Sequence, residues 1–329
     1  MAPARPDIRL HVVTGKGGTG KSTAAAALAL GLAGGGRRVL LCEVEGRQGI
    51  AQMFDVAPLP YQERRIAVAP EGGDVFALHI DPEAALREYL DMYYRAGRAG
   101  RVLERLGAVD FATTIAPGLR DVLLTGKVYE AVRRRRHKGG TQPAYDAVVL
   151  DAPPTGRITR FLNVNQEMAG LAKVGPVRHQ ADAIMTLLRS PRTAVHIVTV
   201  LEEMPVEETA DAIAELEGAA LPVGAVIVNL VRRGGLDDPA LDVAAADRLP
   251  VDGIQAGLEA AGLAASAEVV RGLQTTGREH AERVQLETVQ RKRVDQLGRP
   301  TVELPWLTDG VDLGGLYELA QELRDQELA

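Results

Sequence analysis

The chain contains a single cysteine, Cys42, and only 4% of its 329 residues are aromatic. One thiol excludes an internal disulfide and a metal site built from several thiolates. The formal net charge is −6. An acidic chain with few aromatic rings lacks both the positive surface that attracts phosphate backbones and the platforms on which bases stack. Composition therefore argues against nucleic acid as a partner.

Long apolar runs are missing as well. The longest, Ala24–Ala33, is far shorter than the roughly 20 apolar residues that a membrane-spanning helix requires. Met1–Asp7 has no apolar core of the signal-peptide kind. We therefore expect a cytoplasmic protein without stable membrane insertion. With 46% hydrophobic and 25% charged residues, the chain can bury one large core or two modest ones.

A glycine-rich stretch lies between the apolar run Ile8–Val13 and the alanine-rich run Ala24–Ala33. It reads Gly15-Lys16-Gly17-Gly18-Thr19-Gly20-Lys21-Ser22-Thr23 and matches the pattern G-x-x-x-x-G-K-[ST]. Strand, glycine loop and helix in this order form a phosphate cradle, in which backbone N–H groups and a helix N-terminus face the anion. Lys21 supplies a charge for the β- and γ-phosphates, and Ser22 a hydroxyl for Mg2+. The stretch predicts a nucleotide-binding loop.

Strands and helices alternate along the chain. The predicted strands are Ile8–Thr14, Arg37–Val44, Val75–Ile80, Tyr145–Leu150, Val195–Leu201, Val223–Leu230 and Thr301–Leu304. This alternation predicts an α/β fold with a doubly wound, mostly parallel sheet. Helical segments at about 82–138, 163–192 and 237–297 interrupt the pattern. We expect them to add a helical layer to a single domain that spans residues 1–329.

Polar side chains stand at the carboxyl ends of three predicted strands, where ligands bind in parallel sheets. Asp151 follows Tyr145–Leu150, the position from which phosphate-loop proteins hold Mg2+, commonly through water. Glu43 and Glu45 end the second strand and are candidates for the same site. Asn229 lies at the end of the sixth strand, and its amide can both donate to and accept from a purine edge.

Lys16 places a second lysine inside the cradle. The resulting loop, G-K-G-G-x-G-K-S-T, resembles the deviant Walker A loop of the ATPase group that includes the arsenical-pump, tail-anchored-protein-targeting, septum-site and plasmid-partition ATPases and the nitrogenase iron protein. In that group the first lysine reaches across a dimer interface to the phosphates held by the partner, much as an arginine finger does. The resemblance implies that Lys16 is catalytic in trans. It also implies a dimer, either a homodimer or a heterodimer with a homologous ATPase subunit.

Further motifs narrow this resemblance. Asp151-Ala152-Pro153-Pro154-Thr155-Gly156-Arg157 resembles the switch II motif D-T-A-P-T-G-H of the arsenical-pump and tail-anchored-targeting ATPases. Ile80–Ala84 and Pro117–Asp121 resemble other landmarks of that family, so the likeness covers nearly the whole chain. It is strongest to the actinobacterial, single-loop members, the anion-transporting ATPases. The resemblance implies that the cofactors are ATP and Mg2+, that Ser22 and Asp151 hold the metal, and that Asp151 belongs to the catalytic set.

The base-binding residues also follow from the resemblance. Asn229 and, after it, Pro305 with its loop would contact adenine. No guanine signature of the form N-K-x-D or T-K-x-D follows Val228, which favours ATP over GTP.

Some residues depart from the family pattern. Glu45 stands where the family has an aspartate that positions the attacking water, and the extra methylene moves the carboxylate by about a bond length, so we expect slow turnover. The cysteines with which the arsenical-pump ATPase binds metalloid are missing, as are the zinc Cys-x-x-Cys pair of the tail-anchored-targeting ATPase and the cluster cysteines of the nitrogenase iron protein. The client or transported species stays open.

Two other functions stay open at this point. The chain could be a largely non-hydrolysing, regulatory nucleotide-binding subunit of a heteromeric complex. It could also be a small-molecule ligase or kinase of the dethiobiotin-synthetase type, which uses the same loop. Steady phosphate release without any added substrate separates an ATPase from both.

Overall fold

The computed structural model describes residues 8–46, 48–94, 118–137, 139–171, 176–232, 235–308 and 310–329. Met1–Asp7 lies outside the described residues. So do residues 95–117 of the first predicted helical segment, which include Pro117 of the landmark Pro117–Asp121. The assignment of the whole chain to one domain with three helical insertions stays a prediction.

A single eight-stranded sheet organises the described residues. Its strands are β1 (Leu10–Gly15), β2 (Arg38–Glu43), β3 (Arg64–Val68), β4 (Asp74–His79), β5 (Ala147–Asp151), β6 (Thr193–Thr199), β7 (Val223–Val231) and β8 (Thr301–Pro305). They lie in the order β3-β4-β2-β5-β1-β6-β7-β8. Neighbouring strands are parallel except β3 and β4, which are antiparallel. The predicted doubly wound, mostly parallel sheet is confirmed.

Helices cover both faces of this sheet. They are α1 (Lys21–Ala33), α2 (Gly49–Met53), α3 (Pro82–Tyr94), α4 (Leu119–Arg133), α5 (Thr155–Leu171), α6 (Pro176–Leu188), α7 (Glu203–Gly218), α8 (Asp238–Ala245), α9 (Val251–Ala260), α10 (Ala267–Asp295) and α11 (Leu313–Asp325). One hydrophobic cluster joins the sheet to α1, α2 and α11. The other joins it to α4, α5, α6 and α7. Among the described residues, no helix combines the length and apolar character that a bilayer span requires.

The alanines of α1 are explained by its position. Every residue of Ala24–Ala33 is buried, because α1 packs against α11 on one side and against β2 and β5 on the other. A helix that is apolar all round belongs in such a layer, and small side chains let it approach the sheet closely. The loop before α1 is thereby fixed at the carboxyl end of β1. Since β1 lies between β5 and β6, this is the point where strand order reverses and ligands bind.

The structure differs from the sequence-based elements in two places. Strand β3 was not predicted, because its Arg64 and Arg65 are exposed and no continuous apolar run marks an antiparallel edge strand. Helix α5 begins at Thr155, whereas a start near residue 163 was expected. It follows Pro153-Pro154 directly, and prolines are compatible with the residues that lead into a helix but not with its interior.

Candidate functional site

The glycine loop has a shape that side chains would prevent. A Cβ atom on Gly15 would lie 2.2 Å from the carbonyl oxygen of Val198 in β6, and a Cβ atom on Gly20 would lie 2.2 Å from Nδ2 of Asn229. Gly18 and Gly20 have φ values of 89° and 86°, in the left-handed region that glycine favours. The absence of side chains at Gly15 and Gly20 therefore lets the loop lie close to the ends of β6 and β7.

The helix that follows begins without a capping side chain. Gly20 occupies the N-cap position of α1 and has no side chain that could accept from the first N–H groups. The first turn also contains no acidic residue. Thr19 closes the turn within the loop, since its Oγ1 donates to the carbonyl oxygen of Lys16 at 2.9 Å. The N–H groups of the first helical turn are therefore left to bind an anion.

Ser22 and Asp151 meet at the base of the loop. The Ser22 hydroxyl donates to Asp151 Oδ2 at 2.5 Å, and only 7% of Asp151 is exposed. Burial raises the pKa of the Asp151 carboxyl to about 6, and the charges of Glu43 and Glu45 add to this rise, whereas Ser22 and Lys21 oppose it. A buried carboxylate that accepts a hydrogen bond from a hydroxyl favours a hard cation such as Mg2+.

The loop after β2 forms a second side of the site. Glu43 pairs in register with Asp151 across β2 and β5, and its Oε1 accepts a hydrogen bond from Gly49 N at 2.9 Å at the start of α2. Its other oxygen, Oε2, lies 3.5 Å from His79 Nδ1. Glu45 is half-buried two residues further on. Both carboxylate oxygens of Glu43 thus lie beside neighbouring groups of the protein. Glu45 is the more exposed of the two carboxylates.

Lys16 is held by a residue that the sequence did not suggest. Its Nζ lies 2.7 Å from Glu208 Oε1 of α7. The same carboxylate accepts a hydrogen bond through Oε2 from the Thr155 hydroxyl at 3.3 Å, at the start of α5. A second link joins the end of β1 to the segment before α5, because the Thr14 Oγ1 donates to the carbonyl oxygen of Pro153 at 2.7 Å. The glycine loop and the residues after Asp151 are therefore coupled directly.

A cavity of about 430 Å³ opens beside the loop, and Lys16, Gly17, Gly18, Thr19, Asn229 and Trp306 are among its lining residues. Asn229 is buried, and its Nδ2 donates to the carbonyl oxygen of Thr19 at 2.9 Å. Pro305 is buried at the end of β8. The next residue, Trp306, lines the cavity, and the Arg232 guanidinium lies 5.0 Å from the centre of its ring.

Two residues of α10 complete this cavity. Glu287 is buried and pairs with Arg232 at 3.1 Å and with Arg283 at 3.0 Å. Arg283 in turn pairs with Glu202 at 2.9 Å. Sequence reasoning missed these residues, since charges on a long polar helix resemble a solvated face. The one available signal was the single tryptophan of the chain, directly after Pro305.

The sequence is similar to those of known ATPases. A family model described as anion-transporting ATPase matches residues 8–190. The ATPase BagA of Mycobacterium tuberculosis is 56% identical over 320 residues, which cover 97% of this chain and 93% of that protein. The arsenical pump-driving ATPase of Acidiphilium multivorum is 26% identical over 232 residues, which cover 66% of this chain and 38% of that protein. The ATPase GET3 of Podospora anserina is 30% identical over 162 residues, which cover 47% of this chain and 42% of that protein.

These matches confirm the resemblance found in the motifs. The family model covers more than half of the chain, and the mycobacterial relative matches it almost from end to end. The chain is therefore an ATPase that belongs to the anion-transporting ATPase family.

Proposed function

We propose that the protein binds Mg-ATP in the Gly15–Thr23 loop and hydrolyses it slowly within a nucleotide-gated dimer. The observation that carries this proposal is the contact between Ser22 and Asp151 below an uncapped helix N-terminus. Backbone N–H groups bind the phosphates there, and Lys21 stabilises the negative charge that develops on them.

Ser22 and Asp151 are the residues that would hold the metal. Their oxygen atoms converge, and the raised pKa of Asp151 indicates a carboxyl that gains from a neighbouring cation. Mg2+ held there would supply positive charge that offsets the charge of the phosphates. Asp151, buried and hydrogen-bonded to Ser22, would be a fixed acceptor for it.

Glu45 is the residue we assign to the attacking water. A carboxylate at this position accepts a hydrogen bond from the water and orients it toward the γ-phosphate. Because glutamate is longer than the aspartate usual in the family, its oxygen needs an adjusted backbone or rotamer to reach the same point. Displacements of this size cost up to about 100-fold in rate, which supports slow turnover.

Asn229 favours adenine over guanine through the direction of its amide. Nδ2 donates one of its two hydrogens to Thr19, which fixes the orientation of the amide and makes Oδ1 its acceptor for a base. An acceptor binds the amino group of adenine and repels the carbonyl oxygen of guanine. We propose that Asn229 recognises the base. Pro305 positions the loop that carries Trp306, which lines the same cavity as Asn229.

Lys16 is assigned to the site of a second subunit. Gly17 and Gly18 beside it are exposed, so a partner can approach this edge of the loop. A lysine supplied in trans would neutralise charge on the partner's γ-phosphate, as arginine fingers do. The partner is a second copy of this chain or a homologous ATPase subunit, and the client that uses the cycle is left open.

The experiment that tests this function measures phosphate release from ATP without any other substrate. We expect steady release by the wild type and loss of ATP binding in Lys21→Ala, because the loop then lacks the cation for the bound phosphates. Lys292→Ala, which removes an exposed lysine of α10, is the matched control and should bind ATP normally. Unchanged ATP affinity of Lys21→Ala in calorimetry would refute the site.

A further inference from the structure

One carboxylate joins the glycine loop to the helix that follows Asp151. Glu208 binds Lys16 through Oε1 and Thr155 through Oε2. Lys16 belongs to the glycine loop, and Thr155 begins the helix that follows Asp151. Glu208 therefore binds the same ammonium group of Lys16 that would contact a partner's phosphates.

We propose that Glu208 is a positioning residue that holds Lys16 in cis until an ATP-loaded partner draws the lysine away. This inference rests on the trans role proposed for Lys16. The Lys16 ammonium lies 2.7 Å from Glu208 of its own subunit and has to move away from it to reach a partner's phosphates, so the two contacts compete. We call the ion pair between Lys16 and Glu208 the cis latch. Breaking it also frees the Glu208 carboxylate from its fixed position beside Thr155, which couples dimer closure to the helix after Asp151.

The strength of the cis latch suits a device that opens. The side chains of Lys16 and Glu208 are 30% and 36% exposed, and ion pairs this accessible to water favour the bound form by a factor of only about 1.5 to 5. A γ-phosphate carries more charge than a carboxylate, and interface closure removes water from it, which strengthens charge-assisted hydrogen bonds. Partner phosphate therefore displaces Glu208.

The first test measures the contact itself in the nucleotide-free protein. Lysines are acetylated with limiting acetic anhydride, and the rate at Lys16 is compared with the rate at exposed Lys292 by mass spectrometry. Glu208→Gln keeps an acceptor for Thr155 but removes the charge. We expect Lys16 to react about 1.5 to 5 times faster in this variant. Glu207→Gln, an exposed neighbour on α7, is the matched control and should leave the ratio unchanged.

The second test measures dimerisation by sedimentation velocity with a slowly hydrolysed ATP analogue. A homodimer opens two latches, so Glu208→Gln should lower the dissociation constant by the square of the single factor, about 2- to 25-fold. In a Lys16→Ala background the same substitution should have no effect. A merely structural role of Glu208 would not depend on Lys16 in this way.

The outcomes separate the latch from the proposed function. Equal acetylation of Lys16 in wild type and Glu208→Gln overturns the latch. Faster acetylation with an unchanged dissociation constant overturns it too, since the contact then controls nothing. A wild type that stays monomeric with the analogue contradicts the homodimer and also overturns the latch, because no second copy then draws Lys16 away from Glu208. Wild-type hydrolysis by Lys16→Ala refutes the trans role and, with it, the purpose of the latch.

Discussion

The Ser22 hydroxyl donates a 2.5 Å hydrogen bond to Asp151, a residue 129 positions further along the chain. The contact exists because β1 and β5 are adjacent and parallel, so the loop after one strand meets the last residue of the other. It joins the two residues that we assign to the metal.

Asp151→Asn should remove most of the Mg2+ dependence of ATP binding. In the wild type we expect EDTA to weaken ATP affinity by about 10- to 100-fold, because the strand-end carboxylate orients the metal's ligands. The variant should bind ATP with an affinity that EDTA changes little, as measured by calorimetry. Asp146→Asn, just before the other end of β5, is the control. An equal EDTA effect in wild type and Asp151→Asn would show that Asp151 has another role.

Glu45→Gln should lower kcat by about 100-fold with little change in ATP affinity, since a carboxylate that orients water acts on the reaction step. Phosphate release at saturating ATP gives kcat, and calorimetry gives the affinity. Glu43→Gln is the informative comparison, because Glu43 bonds Gly49 N within the same loop. If Glu45→Gln turns over like the wild type while Glu43→Gln does not, the catalytic carboxylate is Glu43.

Asn229→Ala should reduce the preference for ATP over GTP. Loss of one acceptor to the adenine amino group costs about 1 to 1.5 kcal/mol, or roughly 10-fold in affinity. Competition of ATP and GTP against a fluorescent nucleotide measures the ratio. Asn163→Ala on α5, whose amide instead accepts from Arg189, should keep the wild-type ratio. A preference that survives in Asn229→Ala would assign base recognition to other residues of the cavity.

A buried histidine pair should make stability depend on pH. His11 Nδ1 lies 3.1 Å from His196 Nε2 between β1 and β6, and His196 Nδ1 accepts from Ala225 N. His196 must therefore carry its proton on Nε2 and donate it to His11. Burial lowers the pKa of His11 to about 3, with the His196 and Arg37 charges acting in the same direction, and burial lowers the pKa of His196 to about 4.

The direction in which stability changes with pH follows from proton uptake by the unfolded chain. Both histidines bind protons below about pH 6.5 when unfolded but stay neutral in the folded protein, so stability is full above that pH and falls as pH drops toward 4. Two such groups give a slope of up to about 2.7 kcal/mol per pH unit. Urea unfolding between pH 7 and pH 5 measures it. We expect His11→Gln to reduce the slope by about half and the exposed His137→Gln to leave it unchanged; equal slopes in all three proteins would refute the pair's role.

Elements with local sequence signals could be predicted. Continuous valine and leucine runs identified the central strands, and the glycine pattern before Lys21 identified the loop. Strand β3 was not predicted, because Arg64 and Arg65 lie on an exposed edge, where pairing with β4 decides the conformation.

Contacts between distant residues could not be reached in this way. Nothing near Lys16 in the sequence points to Glu208, and nothing near Asn229 indicates that Thr19 fixes its amide direction. Both depend on which strand ends the sheet brings together. The same holds for Trp306, whose approach to Arg232 depends on the pairing of β7 and β8.

If Lys16 completes the site of another subunit, mixing two inactive variants should restore activity. Lys16→Ala keeps Glu45, and Glu45→Gln keeps Lys16, so a mixed dimer contains one complete site. Equimolar mixing with random pairing should restore about a quarter of the wild-type sites, measured as phosphate release above the sum of the separate proteins. That gain, with both variants nearly inactive alone, is the predicted result. Hydrolysis at the wild-type rate by Lys16→Ala alone would show that Lys16 is not needed in the site of another subunit.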